Sequence, residues 1–209
     1  MALSDSVQPA VAAKITKGVS RSLKSAGKRD AIIRAAIEII NEKSFALATM
    51  TEIAGSLGMR DAALYYYFSD KQTLVFACHV RSLERFEALL AGVAHSNGSG
   101  LVKLRQFIKH MLVDSAKNGP QLYFGDHSYL DAANRQTIDT WAARLTAGLE
   151  RFIIDGIEDG SVVECETAMV VQLLLGTLIW LAKWVPADIT VDRLMSSISA
   201  FGFHGLETR

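Results

Sequence analysis

Residues 49–68 read Thr-Met-Thr-Glu-Ile-Ala-Gly-Ser-Leu-Gly-Met-Arg-Asp-Ala-Ala-Leu-Tyr-Tyr-Tyr-Phe, and this stretch decides the fold. Thr49 followed by Glu52 forms a capping box, in which the Thr49 hydroxyl accepts from the Glu52 amide and the Glu52 carboxylate returns to the Thr49 amide. A short helix therefore starts here, turns Ile53, Ala54 and Leu57 inward, and ends at Gly58, a residue that tolerates the left-handed turn. A second helix follows from about Asp61 to Tyr67. Small Ala54 permits close approach, Gly58 permits the tight reversal, and Leu64 seals the second helix onto the first. That is the specification of a helix-turn-helix. Three of the five tyrosines, Tyr65, Tyr66 and Tyr67, stand in succession on the second helix. Consecutive helix positions are about 100° apart, so one core face cannot hide all three, and at least two phenols should face solvent or a ligand. Beside Lys71, phenol hydroxyls are good phosphate donors, and the rings can touch thymine methyls.

Outward from this stretch the pattern stays helical. Apolar residues recur with a 3.6 period over about 27–43, 71–94, 101–117, 135–158, 164–185 and 190–205, and no long alternating pattern appears. The prolines, Pro9, Pro120 and Pro186, sit where helices begin or end. In 28–43 the positions Ile32, Ile33, Ala36, Ile37 and Ile40 trace one face, an amphipathic helix that packs on the two short ones. Helices as short as those two need tertiary support, so the N-terminal part is expected to be a compact three-helix unit. The predicted fold class is all-α, with three parts: a flexible basic arm over 1–26, a helix-turn-helix domain over 27–72, and a larger helical domain over 73–209.

The chain has 209 residues, half of them apolar and 21% charged, an ordinary composition for soluble globular domains. Cores form in units of roughly 100–150 residues, so two units are expected. With only Cys78 and Cys165, there is no disulfide framework and no Cys/His spacing suited to zinc. The chain reads as cytoplasmic, with no metal and no cofactor. The first 27 residues lack a continuous apolar run, which argues against a secretory signal. The most apolar run, 168–184, is interrupted by Gln172, Gly176, Thr177 and Lys183 and falls short of the ~20 residues that cross a bilayer. It reads as a buried or interface helix. Formal charge is zero, yet residues 1–72 hold ten basic side chains against seven acidic, a net of +3, while 73–209 hold twelve against fifteen, a net of −3. Such asymmetry points to nucleic-acid contact by the basic end.

The run from Phe45 through Thr49, Glu52-Ile53-Ala54, Leu57-Gly58, Leu64-Tyr65, Phe68 and Lys71 to Leu74 resembles the signature of the TetR (tetracycline-repressor-like) family of transcriptional regulators. The resemblance implies an N-terminal three-helix DNA-binding domain, a larger helical domain that takes a small effector, and a homodimer on a pseudo-palindromic operator, paired through its last two long helices. Carried over by position, it implies that Thr49, Thr51, Tyr65, Tyr67 and Lys71 contact phosphates, and that Arg60, Asp61, Ala62, Ala63 and Tyr66 face base edges. Local chemistry agrees. Thr49 and Thr51 lie at a helix N-terminus, where amides and hydroxyls point at anions, and Arg60 can bridge guanine O6 and N7. Two departures from the family pattern stand out: Ser44 replaces the usual Gly before Phe45, and Arg60-Asp61-Ala62 replaces the usual Ser or Thr cap with its following Gly. Asp61 can cap instead. The arm over 14–28 either adds backbone contacts to DNA or stays solvated.

Residues 75–209 contain no Gly-rich phosphate loop, no G-x-S-x-G and no paired acids at a recognisable spacing, so no catalytic residue is expected. Asp126-His127-Ser128 is the nearest approach to a cluster, but adjacency in sequence does not make a triad. These residues suit a loop or a polar pocket mouth. Gln172, Gly176, Trp180 and Trp184 form a stripe at i+4 spacing on a helix apolar nearly all round, which must be covered on nearly all sides. Either a core or a dimer interface satisfies that. Leu174-Leu175-Gly176, Trp180-Leu181-Ala182-Lys183-Trp184 and Ile157-Glu158-Asp159-Gly160 resemble a TetR subgroup that includes sensors of acyl-CoA thioesters. That resemblance implies an apolar cavity lined by Phe107, Met111, Trp141, Leu145 and Trp180, with Lys183 near its entrance for an anionic head. The expected function is a ligand-responsive transcriptional regulator, a repressor first and an activator second; an enzyme or small-molecule carrier is the competing class.

Overall fold

The computed structural model describes the backbone of residues 8–122, 127–184 and 188–203 and the side chains of 25–122, 127–181 and 188–203. Among these residues it is all-α: α1 (Gln8–Lys43), α2 (Met50–Ser56), α3 (Asp61–Tyr67), α4 (Lys71–Ala94), α5 (Gly100–Asn118), α6 (Ala132–Glu158), α7 (Thr167–Trp184) and α8 (Val191–Ile198), which runs into a π-helical turn over Ser199–Phe203. Each helix expected from the periodicity is present. One differs in length: α1 begins at Gln8, so the backbone is helical through most of the stretch expected as a flexible arm. Good helix formers crowd that stretch (Ala10, Ala12, Ala13, Lys14, Lys17, Leu23, Lys24), and Pro9 falls in the first turn, where its missing amide has no partner to lose. Asp126 and Pro186, and the side chains of Lys183 and Trp184, lie outside the described residues.

Two apolar cores organise the chain. The first gathers Ile32 and Ile37 of α1, Ile53 and Ala54 of α2, Leu64 of α3, Phe68, and Leu74, Val75 and Cys78 of α4. The second gathers Leu83 and Phe86 of α4 with Leu104, Phe107 and Ile108 of α5, Leu149, Phe152 and Ile153 of α6, Val171 of α7 and Phe203. Packing thus divides inside α4, between Cys78 and Leu83, so the N-terminal core takes in two turns of α4 beyond residue 72. A single continuous helix joins the two units.

Within the second core, α5 starts hard against α6. A Cβ on Gly100 would lie 2.1 Å from the Gly156 amide nitrogen and 2.2 Å from the Phe152 carbonyl oxygen, a clearance only glycine allows. The turn after α6 caps α5 in return: the Gly100 amide donates to Asp159 Oδ2 at 2.7 Å and the Leu101 amide to Ser161 Oγ at 3.3 Å. Hydrogen bonds from Ser161 and from Gly100 hold the Asp159 carboxyl below the usual carboxylate range.

The connection from α5 to α6 does not stay with its own domain. Leu122 joins the N-terminal core. Its amide donates to Ser82 Oγ of α4 at 2.9 Å, while the Gln121 carbonyl accepts from Asn41 of α1 at 3.3 Å and the Gln121 side chain accepts from Arg81 of α4 at 3.1 Å. Buried polar groups demand such partners, and here they fasten the connection across both units. Among the described residues no helix is long and apolar enough to cross a membrane.

Candidate nucleic-acid interface

The helix-turn-helix is built as the sequence specifies, with two local exceptions. Thr49 is the N-cap of α2 in extended geometry, and its hydroxyl accepts from the Glu52 amide at 3.2 Å. The reciprocal half of the expected capping box is missing. The Glu52 carboxylate turns to Lys43 Nζ at the end of α1, and that hydrogen bond raises the Lys43 pKa. An ion pair between α1 and α2 has replaced a local bond. At the other end, Gly58 adopts φ +62, the Gly58 amide donates to the Gly55 carbonyl at 3.0 Å and the Met59 amide to the Ala54 carbonyl at 2.9 Å. This pair of bonds is a Schellman motif, and it reverses the chain into α3.

The second exception is the start of α3. Arg60 occupies the N-cap with no side-chain bond, so Asp61 does not cap the helix. Asp61 Oδ2 instead accepts from the Thr51 hydroxyl at 2.6 Å. Thr51 and Asp61 brace α2 against α3, and the Thr51 proton is spent inside the motif rather than presented outward. Thr49, whose oxygen is the acceptor in its cap, keeps its own proton to donate.

Leu64 is the fully buried residue of α3, and the rest of the helix shows a broad outer face. Arg60, Ala62 and Ala63 are exposed; Tyr65 is 49% and Tyr66 81% exposed. Tyr67 is half-buried, packs on the N-terminal core and meets the Tyr66 ring edge-on at 5.2 Å. Two of three phenols therefore face outward, as the 100° spacing requires. Leu47, 69% exposed just before Thr49, adds an apolar tip that sequence reasoning did not single out.

Lys71 opens α4, whose N-cap Asp70 accepts from the Thr73 amide at 2.7 Å, a bond that lowers the Asp70 pKa. The Lys71 ammonium lies 4.1 Å from the centroid of the Phe45 ring, and partial burial pulls its pKa down. A cation held against an aromatic face keeps its charge for an anion approaching from solvent. Thr49, Arg60, Ala62, Ala63, Tyr65, Tyr66 and Lys71 thus belong to one compact motif that exposes a hydroxyl, two phenols, a guanidinium and an ammonium: donors for phosphate and base edges.

In the larger domain, Phe107, Met111 and Leu145 are buried together in the second core and Trp141 packs against it. The Trp141 indole nitrogen is buried without an acceptor. Trp180 is placed elsewhere. At 59% exposed it shares the outer side of α7 with Met169, Gln172, Leu173, Gly176 and Thr177, so the i+4 stripe faces away from the core instead of into a cavity. The π-helical turn also leaves Phe201 86% exposed. His127 Nε2 pairs with Asp139 at 2.7 Å, on the third turn of α6. Cys78 is buried in the first core, which pushes its thiol pKa far up.

Comparison with known proteins follows this division. Residues 32–78 match the family model of bacterial regulatory proteins of the tetR family, ending at the last α4 residue of the first core. Residues 97–199 match the model for the tetracyclin repressor-like C-terminal domain. No curated protein matches at a significant level. Similar solved structures include the TetR family transcriptional regulator PfmR from Thermus thermophilus, with TM-score 0.69 and 20% identity over 85% of this chain and 99% of that one. AibR in complex with isovaleryl coenzyme A and operator DNA gives 0.68 and 21% over 81% and 95%. The ketosteroid transcriptional regulator KstR2 of Mycobacterium tuberculosis gives 0.69 and 17% over 87% and 96%. With both of its units matched in order and more than half its length covered, the chain belongs to the tetR family of bacterial DNA-binding transcriptional regulators.

Proposed function

We propose that this chain is an effector-released repressor that grips a palindromic operator as a homodimer. The observation that carries it is the outer face of α3, where Arg60, Ala62, Ala63, Tyr65 and Tyr66 are all exposed beside the N-terminus of α2. Arg60 and Tyr66 read base edges, Ala62 and Ala63 let the helix approach the groove floor, and Thr49, Tyr65 and Lys71 hold phosphates. Thr51 and Asp61 set the angle between the two helices. The second copy docks on α7, whose outward face carries Met169, Leu173 and Trp180, with Phe201 beyond it; contiguous apolar exposure of this kind marks an interface. Half-sites lie about one helical turn apart, so a small change in the separation of two α3 helices abolishes simultaneous docking.

The effector is a small apolar molecule, an acyl-CoA thioester in the first instance. AibR was solved with isovaleryl coenzyme A and operator DNA together, and a fatty acid degradation regulator from Bacillus halodurans shares the fold at TM-score 0.65 and 22% identity. The apolar wall of Phe107, Met111, Leu145 and Trp141, with an unpaired indole donor, suits an acyl chain with a carbonyl.

Fluorescence anisotropy on an operator fragment, selected from genomic DNA with the purified protein, tests both halves. Lys71→Ala should weaken binding to every sequence and lower the slope of log affinity against log salt by about one. An unchanged slope and affinity would remove Lys71 from the interface. Addition of CoA thioesters of graded chain length should release the labelled fragment; no release by any of them discards this effector class.

A further inference from the structure

The Phe45 ring that supports Lys71 is itself held from the other domain. Tyr129, in the α5–α6 connection, stacks on Phe45 with centroids 3.6 Å apart and planes 3° from parallel. That contact fills one face of the Phe45 ring and leaves the other to the Lys71 ammonium at 4.1 Å. Tyr129 is pinned at two further points: its carbonyl accepts from Gln72 Nε2 at 2.6 Å, and its hydroxyl lies 3.1 Å from Nε2 of His79, which is wholly buried in α4. The residues before it are tied to the first turns of α6. Arg135 donates to the Ser128 carbonyl at 2.9 Å, and Asp139 pairs with His127 at 2.7 Å. Further along α6, two and six residues beyond Asp139, stand Trp141 and Leu145, on the proposed effector wall. Contacts therefore run from α6, the helix that carries that wall, to the ammonium.

We infer that Tyr129 is a positioning residue for operator binding: by stacking on Phe45 it fixes the ledge on which Lys71 waits, so displacement of the α5–α6 connection loosens a phosphate contact in the other domain. A lysine has four rotatable carbons, and holding it in place before DNA arrives removes an ordering cost from binding. An effector acts through this route by its differential affinity for connections that do and do not carry the stack. The inference rests on the proposed phosphate role of Lys71, and the test keeps the two apart.

A double-mutant cycle on the full-length chain decides the matter, with anisotropy on the genomically selected fragment at three salt concentrations, well below the unfolding midpoint of each variant. Tyr129→Ala should weaken binding about three- to tenfold when Lys71 is present, the scale of a lost aromatic pair, and less than about twofold in the Lys71→Ala background. Tyr129→Leu, which keeps apolar volume without a ring, should behave as Tyr129→Ala does. Tyr129→Phe keeps the stack but gives up the contact with His79, and should lose clearly less affinity than Tyr129→Ala; a loss as large as that of Tyr129→Ala would overturn the role of the stack. Equal losses in both backgrounds would show a purely structural role and overturn the inference, as would full affinity in Tyr129→Ala beside a weakened Lys71→Ala. A silent Lys71→Ala overturns the phosphate role itself and the coupling with it.

Discussion

Ser44 adopts φ +77, the only described residue other than glycine in the left-handed region. It sits at the end of α1, where its amide donates to the Ile40 carbonyl at 2.8 Å and its carbonyl accepts from the Ala48 amide at 3.1 Å. The backbone therefore demands at this position what the family supplies with Gly, and Ser carries the steric cost of its Cβ. That cost is about 1–2 kcal/mol, set against about 0.5–1 kcal/mol for the extra freedom Gly loses on folding. Ser44→Gly should raise stability by about 0.5–1 kcal/mol and the midpoint of thermal unfolding by about 1–4 °C. A fall in that midpoint would mean that Ser44 is not strained. Single residues are the most legible scale in this sequence. Thr49, Gly58, Leu64 and the tyrosine triplet behave as their chemistry dictates, because each acts through bonds within a few positions. Asp61 and Glu52 depart from expectation for the opposite reason: Thr51 and Lys43, reached through the fold, outcompete the local partner.

Among elements, the helices are readable from period and caps, but their mutual fit is not. Gly100 reads as the end of a Ser-Asn-Gly-Ser-Gly turn; in the structure it opens α5 against the backbone of α6. The obstructing atoms there are main chain, which cannot swing aside as a side-chain tip can. Gly100→Ala should cost about 1–3 kcal/mol through forced separation of the two helices. Gly27→Ala, in α1 with open space around the added methyl, should stabilise by about 0.5–1 kcal/mol. Chemical denaturation of both variants measures the contrast, and equal effects would refute the close approach. The stripe on α7 shows the same limit. Period places Gln172, Gly176 and Trp180 on one face, but on a helix apolar nearly all round it cannot say which face is inside. Only packing of Val171, Leu175 and Leu178 into the core assigns the Trp180 side to the exterior. The proposed effector wall is drawn accordingly from Phe107, Met111, Trp141 and Leu145, which pack together in the second core, and not from the exposed Trp180.

For the molecule as a whole, the neutral formal charge conceals a basic reading head and an acidic sensing domain. A net of +3 over 72 residues is too small for bulk electrostatics to supply tight binding, since each released counterion comes from a placed cation. In the proposed dimer, affinity comes from a few positioned groups used twice. Operator binding on that proposal depends on the exposed side of α7, because a single copy presents only one α3. Leu173, 65% exposed, can be replaced without disturbing either core. Light scattering of the free protein, joined to operator titration, should give a particle of two chains of 22.8 kDa for the parent. Leu173→Glu should give single chains that fold normally and lose operator affinity by about a hundredfold or more, as expected when linked engagement of two sites is removed. A parent that is monomeric when bound, or a Leu173→Glu chain that remains paired and grips the operator as before, would contradict the account.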